Sequence, residues 1–81
     1  MTKQEIFEKI QNIFRNVFDN SEMKIENSSN SSNVENWDSL NHINLVVAIQ
    51  KEFRIKFDLK EIQSFKNVGE MVDLVEKKIG R

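Results

Sequence analysis

The chain has no cysteine and no proline among its 81 residues. Without cysteine it has no disulfide and no thiolate-held metal, and its composition suits a reducing compartment. No run is long and apolar enough to span a bilayer. Residues 1–10 are charged and amphipathic and do not read as a secretory signal. Two Asn-x-Ser patterns, Asn27-Ser28-Ser29 and Asn30-Ser31-Ser32, therefore read as accidents of a polar segment rather than glycosylation acceptors. A net charge of −1 excludes a simple electrostatic nucleic-acid binder. Catalytic signals are also missing: no pair of carboxylates, no metal-ligating cluster and no Gly-rich phosphate loop. The single histidine, His42, has no oriented acid beside it to activate a nucleophile. No catalytic residue and no metal site are expected.

What is present is helical periodicity. Ile6, Phe7, Ile10, Ile13, Phe14, Val17 and Phe18 fall on one face at period 3.6. Thr2 with Glu5 reads as the capping box of that helix, and Asp19-Asn20-Ser21 ends it. A second helix is predicted over Ser39–Phe53, with Leu40, Ile43, Leu45, Val46, Val47, Ile49 and Phe53 forming an arc of more than half the circumference. Such a helix is expected to be buried on several sides, with Asn41, Asn44, Ala48, Lys51 and Glu52 as its solvent face. Residues 54–57 read as a turn. Asp58 with Glu61 then caps a short helix carrying Leu59 and Ile62, and Phe65 is a core anchor just beyond it. Asn67 with Glu70 caps a last helix striped by Val68, Met71, Val72, Val75 and Ile79, with Gly80 as its stop. No alternating strand pattern appears. The expected fold is all-α, a small four-helix bundle of three main helices and one short one, in a single domain over residues 1–81.

The first and second helices are separated by an unusually long connection, residues 19–38, and loops of that length are often functional. Its Ser/Asn-rich centre is expected to be mobile, with Met23 and Ile25 packed at its base. It closes on Trp37-Asp38-Ser39-Leu40. Ser39 would sit at the start of the second helix with its hydroxyl in solvent. Asp38 can cap that helix, and the free N–H groups of the first turn favour an anion. That geometry suits a serine that carries a phosphate ester, although Asp38 and Ser39 can equally be a plain cap. Trp37 packs over the base of the loop or joins a partner surface.

The order of elements, with Asp-Ser-Leu opening the second helix, resembles the acyl carrier protein family. The resemblance is strongest from residue 37 to residue 53 and extends over essentially the whole chain. It implies that Ser39 receives a phosphopantetheine arm from coenzyme A, transferred by a separate magnesium-dependent phosphopantetheinyl transferase. The arm holds an acyl or aminoacyl group as a thioester, so the carrier needs no cysteine of its own. The implied attachment site comprises Ser39 with Asp38 and Leu40, Asp38 also helping the transferase to position magnesium and coenzyme A. His42, one turn after Ser39, either orients the phosphodiester or merely edges the apolar arc near Ile49 and Phe53. The implied partners are the transferase, an acyl- or aminoacyl-loading ligase and downstream acyl-processing enzymes. A cytoplasmic monomer that neither binds nucleic acid nor enters membranes is expected.

The chain departs from the family in one respect. Carriers of bulk fatty-acid synthesis present an acidic second helix, whereas the matching positions here are Asn41, Asn44, Gln50 and Lys51. Charge is also divided along the chain. Residues 1–40 hold four basic and seven acidic side chains, residues 41–81 eight basic and six acidic. Both facts point to a specialised carrier with dedicated partners. Six phenylalanines point to a packed core and a short or polar cargo. The competing reading is a non-covalent helical interaction module in which Ser39 is only a cap.

Overall fold

Thr2 begins the first helix as the sequence predicts. In the computed structural model, which describes residues 2–32 and 34–79, the Glu5 N–H donates to Thr2 Oγ1 at 3.1 Å and Glu5 Oε1 accepts from the Thr2 N–H at 2.8 Å. This box opens α1 (Lys3–Val17). Asp38 opens α2 (Ser39–Phe53), its Oδ1 accepting from the Asn41 N–H at 2.9 Å. Asp58 and Glu61 form a second reciprocal box at 2.8 and 2.9 Å, which starts the short α3 (Leu59–Ser64). Asn67 Oδ1 accepts from the Glu70 N–H at 2.9 Å at the head of α4 (Val68–Ile79). Each side chain satisfies one of the backbone donors that a helix start leaves free. Among the described residues there is no strand. The proposed stop at Gly80 lies outside the described residues.

α1 packs against both α2 and α4. Ile6, Ile10 and Phe14 meet Leu45, Val46 and Ile49 of α2 and Val68, Met71 and Val75 of α4 in one core. Burying such a side chain contributes roughly 1.5–3 kcal/mol relative to leaving it in water. α3 buries no residue completely, although Ile62 packs against the core edge.

The solvent face of α2 differs from the sequence expectation. Leu45, Val46, Ile49 and Phe53 are buried, but Leu40, Ile43 and Val47 are exposed. Ala48, expected in solvent, packs against the core instead. Asn41 and Gln50 are also drawn in: Asn41 Nδ2 donates to the Asn36 carbonyl at 2.7 Å, and Gln50 Oε1 accepts from the Phe57 N–H at 2.8 Å. The reason is size. So small a domain cannot wrap a 15-residue helix on every side when one neighbour has only 6 residues.

Within the long connection Ile25 is buried and Met23 packs against the core, as expected. The described part of the Ser/Asn stretch forms turns: the Glu26 N–H donates to Ser29 Oγ at 2.8 Å and the Ser32 N–H to Asn30 Oδ1 at 2.7 Å. α1 and α4 clamp the connection from either side. Arg15 Nε donates to the Met23 carbonyl at 2.7 Å, and Gln11 Oε1 accepts from the Ile25 N–H at 3.0 Å. The N–H groups of Val68 and Gly69 donate to the carbonyls of Ser29 and Asn27, both at 2.9 Å. A Cβ at Gly69 would lie 3.2 Å from the Asn27 carbonyl oxygen, so the glycine eases this close approach of α4 to the connection.

Candidate functional site

Where the connection meets α2, three features converge on Ser39. It is the first residue of α2 and is exposed. Asp38, in extended backbone, caps the helix through both its side chain and its carbonyl, the latter accepting from the His42 N–H at 2.8 Å. A helix leaves the N–H groups of its first turn without intrahelical acceptors, and those of Ser39 and Leu40 belong to that turn. Among the described residues the Ser39 hydroxyl has no hydrogen-bond partner. An oxygen that is exposed, unpaired and set at the positive end of a helix suits a phosphodiester attachment point.

His42 sits one turn further on, and both of its ring nitrogens are engaged within the protein. Its Nδ1 accepts from Trp37 Nε1 at 3.1 Å, and its Nε2 lies 2.9 Å from the Ile62 carbonyl. An indole N–H only donates and a carbonyl only accepts, so these two bonds fit the tautomer with its proton on Nε2. With both nitrogens engaged inside the protein, neither is directed at Ser39. The imidazole stacks on Trp37 and meets Phe65 edge-on, with centroids 6.1 Å away in both cases. Trp37 in turn packs edge-on against Phe14 at 5.2 Å, and Phe65 against Phe57 at 5.2 Å. A line of five rings therefore ties α1, the end of the connection, α2 and the segment after α3. Trp37 is buried and packs in the core while also lining the cleft beside Ser39.

Beside Ser39, the Trp37, His42 and Phe65 rings line an open cleft of about 670 Å³. Trp37, Ser39 and Ile43 face it from one part of the chain, Leu59, Ile62 and Phe65 from α3 and its end. Lys66 is its one lysine. The structure thus brings Asp38, Ser39 and His42 together around one hollow, while Leu40 points away into solvent with 70% of its surface exposed. Sequence reasoning missed Ile62, Phe65 and Lys66 as walls of this hollow. The signal available was slight: a tryptophan and a histidine five residues apart, with an aromatic residue beyond the short helix. Among the described residues no group of acidic residues and histidine could hold a metal ion, and no helix is long and apolar enough to cross a membrane.

Comparison with known proteins agrees with this geometry. The family described as "Phosphopantetheine attachment site" matches residues 8–75. The acyl carrier protein of Cyanidium caldarium is 33% identical over 79 residues, covering 98% of this chain and 92% of that one. The acyl carrier protein of Guillardia theta is 30% identical over 79 residues, covering 98% of both chains. Among solved structures, the holo acyl carrier protein of Geobacter metallireducens superposes with a TM-score of 0.86 at 39% identity, covering 94% of this chain and 87% of that one.

Proposed function

The chain belongs to the acyl carrier protein family, and from that premise we propose that it is a discrete carrier, one domain over residues 1–81, with its arm on Ser39. The prosthetic group is phosphopantetheine, covalently attached, and the family works by carrying rather than by catalysing. A phosphopantetheinyl transferase and acyl-processing enzymes are the partners this implies. When bound, the group supplies a terminal thiol that holds acyl or aminoacyl cargo as a thioester.

The exposed, unpartnered Ser39 hydroxyl at the mouth of the cleft carries this reading. Asp38 fixes the helix start and so the direction of that hydroxyl. Its second carboxylate oxygen has no partner among the described residues and is available to a transferase handling magnesium and coenzyme A. The first-turn N–H groups of Ser39 and Leu40 and the Lys66 ammonium favour the phosphodiester charge. His42 acts at one remove: it holds Trp37 and Ile62, two walls of the cleft, in place.

We place the carrier in a specialised pathway with dedicated partners, in the cytoplasm where coenzyme A is the arm donor. The absence of an acidic strip on α2 supports this, since its first turn holds no acid and its last turn holds Lys51. A short or polar cargo resting in the open cleft is consistent with the filled core.

The test is intact mass after incubation with coenzyme A, magnesium and a broad-specificity transferase. The protein is expected to gain one phosphopantetheine, and Ser39→Ala to gain none while keeping its helical circular dichroism. A gain in Ser39→Ala would move the site to another residue. No gain in the unmodified sequence would leave Ser39 as a cap and favour a non-covalent interaction module.

A further inference from the structure

One bond in the line of rings depends on a proton. Trp37 is 6% exposed, and among the described residues its indole N–H has one acceptor, His42 Nδ1 at 3.1 Å. Nδ1 accepts only while the imidazole carries a single proton; a second proton turns it into a donor. The two ring planes lie 20° apart, and each N–H lies in the plane of its own ring. Protonation therefore sets two donors against each other where one bond now stands. A buried indole N–H without an acceptor is costly, so Trp37 has to turn its edge toward another partner or water.

The bond on the other side of the imidazole behaves differently. With the proton on Nε2, that nitrogen donates to the Ile62 carbonyl at 2.9 Å. It goes on donating, now with charge assistance, once the ring is protonated. One protonation cuts the tie to Trp37 and keeps the tie to α3.

His42 is only half-buried and lines the cleft beside Ser39, so protons reach it from solvent. Asp38, at the end of the connection, and Lys66, after α3, line the same cleft and are both exposed. Asp38 attracts a charge on the imidazole and Lys66 repels it, and salt screens both. Glu61, next to Ile62 on α3, is committed to Lys78 at 3.0 Å and to the Asp58 N–H at 2.9 Å. Residues 39–46 of α2 include no Asp, Glu, Lys or Arg, and α1 meets this part of the line through Phe14.

We propose that His42 is a proton-operated latch on the cleft, holding Trp37 when neutral and releasing Trp37, but not α3, when protonated. The inference goes beyond the carrier reading, which enters only in making the cleft the place where cargo rests. Trp37 is a wall of that cleft, so its release reshapes the hollow beside Ser39 while α1, α2 and α4 stay packed. Histidine is the side chain whose charge changes nearest neutral pH, which makes the shape of the cleft responsive to mild acid.

Nitrogen-15 nuclear magnetic resonance of the protein without its arm, stepped from about pH 8 to about pH 5, tests the proposal over the range where histidine changes charge. The His42 ring nitrogens report protonation, and the Trp37 Nε1–H resonance reports its bond. The indole resonance is expected to move upfield as the bond is lost, with the same midpoint as the imidazole. Nuclear Overhauser contacts between the His42 ring and Ile62 are expected at both ends of the titration. His42→Gln keeps an acceptor and a donor but no titrating group. In that variant, shown to be folded by circular dichroism, the indole resonance should hold its position throughout. An indole resonance that stays put while His42 titrates overturns the proposal, and this outcome needs no variant. So does an equal movement in His42→Gln, loss of the Ile62 contacts on protonation, or an imidazole that stays neutral until helix content is lost. Ser39→Ala should give the same titration as the unmodified sequence, so the latch and the arm site succeed or fail separately.

Discussion

His42 shows how much one side chain holds at this site. Its two hydrogen bonds join the connection to the end of α3, and its ring sits between Trp37 and Phe65. His42→Ala removes both bonds and leaves the N–H of a buried tryptophan without an acceptor. A loss of about 2–3 kcal/mol is expected, from a stranded buried donor and a lost ring contact. Chemical denaturation followed by the fluorescence of Trp37, the one tryptophan, measures it directly. The folded fraction of this variant should still take up one arm at Ser39. Arm uptake that collapses while the fold survives would return His42 to the phosphodiester. A histidine one turn after the serine was legible in the sequence as a neighbour of the site. Its partners were not, because Trp37 and Ile62 approach it through tertiary packing.

At the scale of elements, the local signals were the legible ones. Every helix start was readable because caps are written within four residues of chain: Thr2 with Glu5, Asp38, Asp58 with Glu61, Asn67 with Glu70. The bounds of α2 were readable from its apolar arc, but its exposed face was not, since that depends on how many neighbours a small domain can supply. The clamps on the connection by Gln11, Arg15 and Gly69 were likewise beyond local pattern. Two predictions belong here. Glu5 and Glu61 titrate below the ordinary carboxyl value of 4.5, first because backbone N–H groups of Thr2 and Asp58 bond their ionised forms; Lys78 adds to the effect at Glu61. A depressed folded-state pKa contributes stability that is present above the unfolded value and lost as pH falls through the folded one. Stability should therefore decline below pH 4.5, and denaturation at stepped pH should show a shallower decline in Glu61→Gln. Arg54, a non-glycine residue at φ 56°, ends α2 in the left-handed region. Arg54→Gly is expected to raise stability by about 0.5–1 kcal/mol by relieving that backbone cost. A denaturation midpoint that stays put or falls would show that the arginine side chain itself stabilises the turn.

For the whole molecule, the distribution of space decides where cargo can lie. Ile6, Ile10, Phe14, Leu45, Ile49, Val68, Met71 and Val75 are all 0% exposed, and they fill the volume between α1, α2 and α4. Forcing extra methylene groups into a well-packed core costs typically 1–3 kcal/mol, so an acyl chain enters it only by displacing these side chains. The cleft beside Ser39 already offers about 670 Å³ with apolar walls at Ile43, Leu59, Ile62 and Phe65, and needs no such displacement. Lys66 and Gln63 on its lining can also meet a polar group at the cargo's end. Comparing methyl resonances of the arm-bearing protein before and after loading with a short and then a long acyl group separates the two sites. Ile43, Leu59 and Ile62 are expected to shift with either cargo. Val46, Ile49, Val68, Met71 and Val75 are expected to stay where they are, even with the long chain. Large shifts confined to the long-chain form and centred on Ile49 and Met71 would mean that the bundle opens. The filled core would then be the resting state of a cargo chamber, and the short-cargo reading would fall.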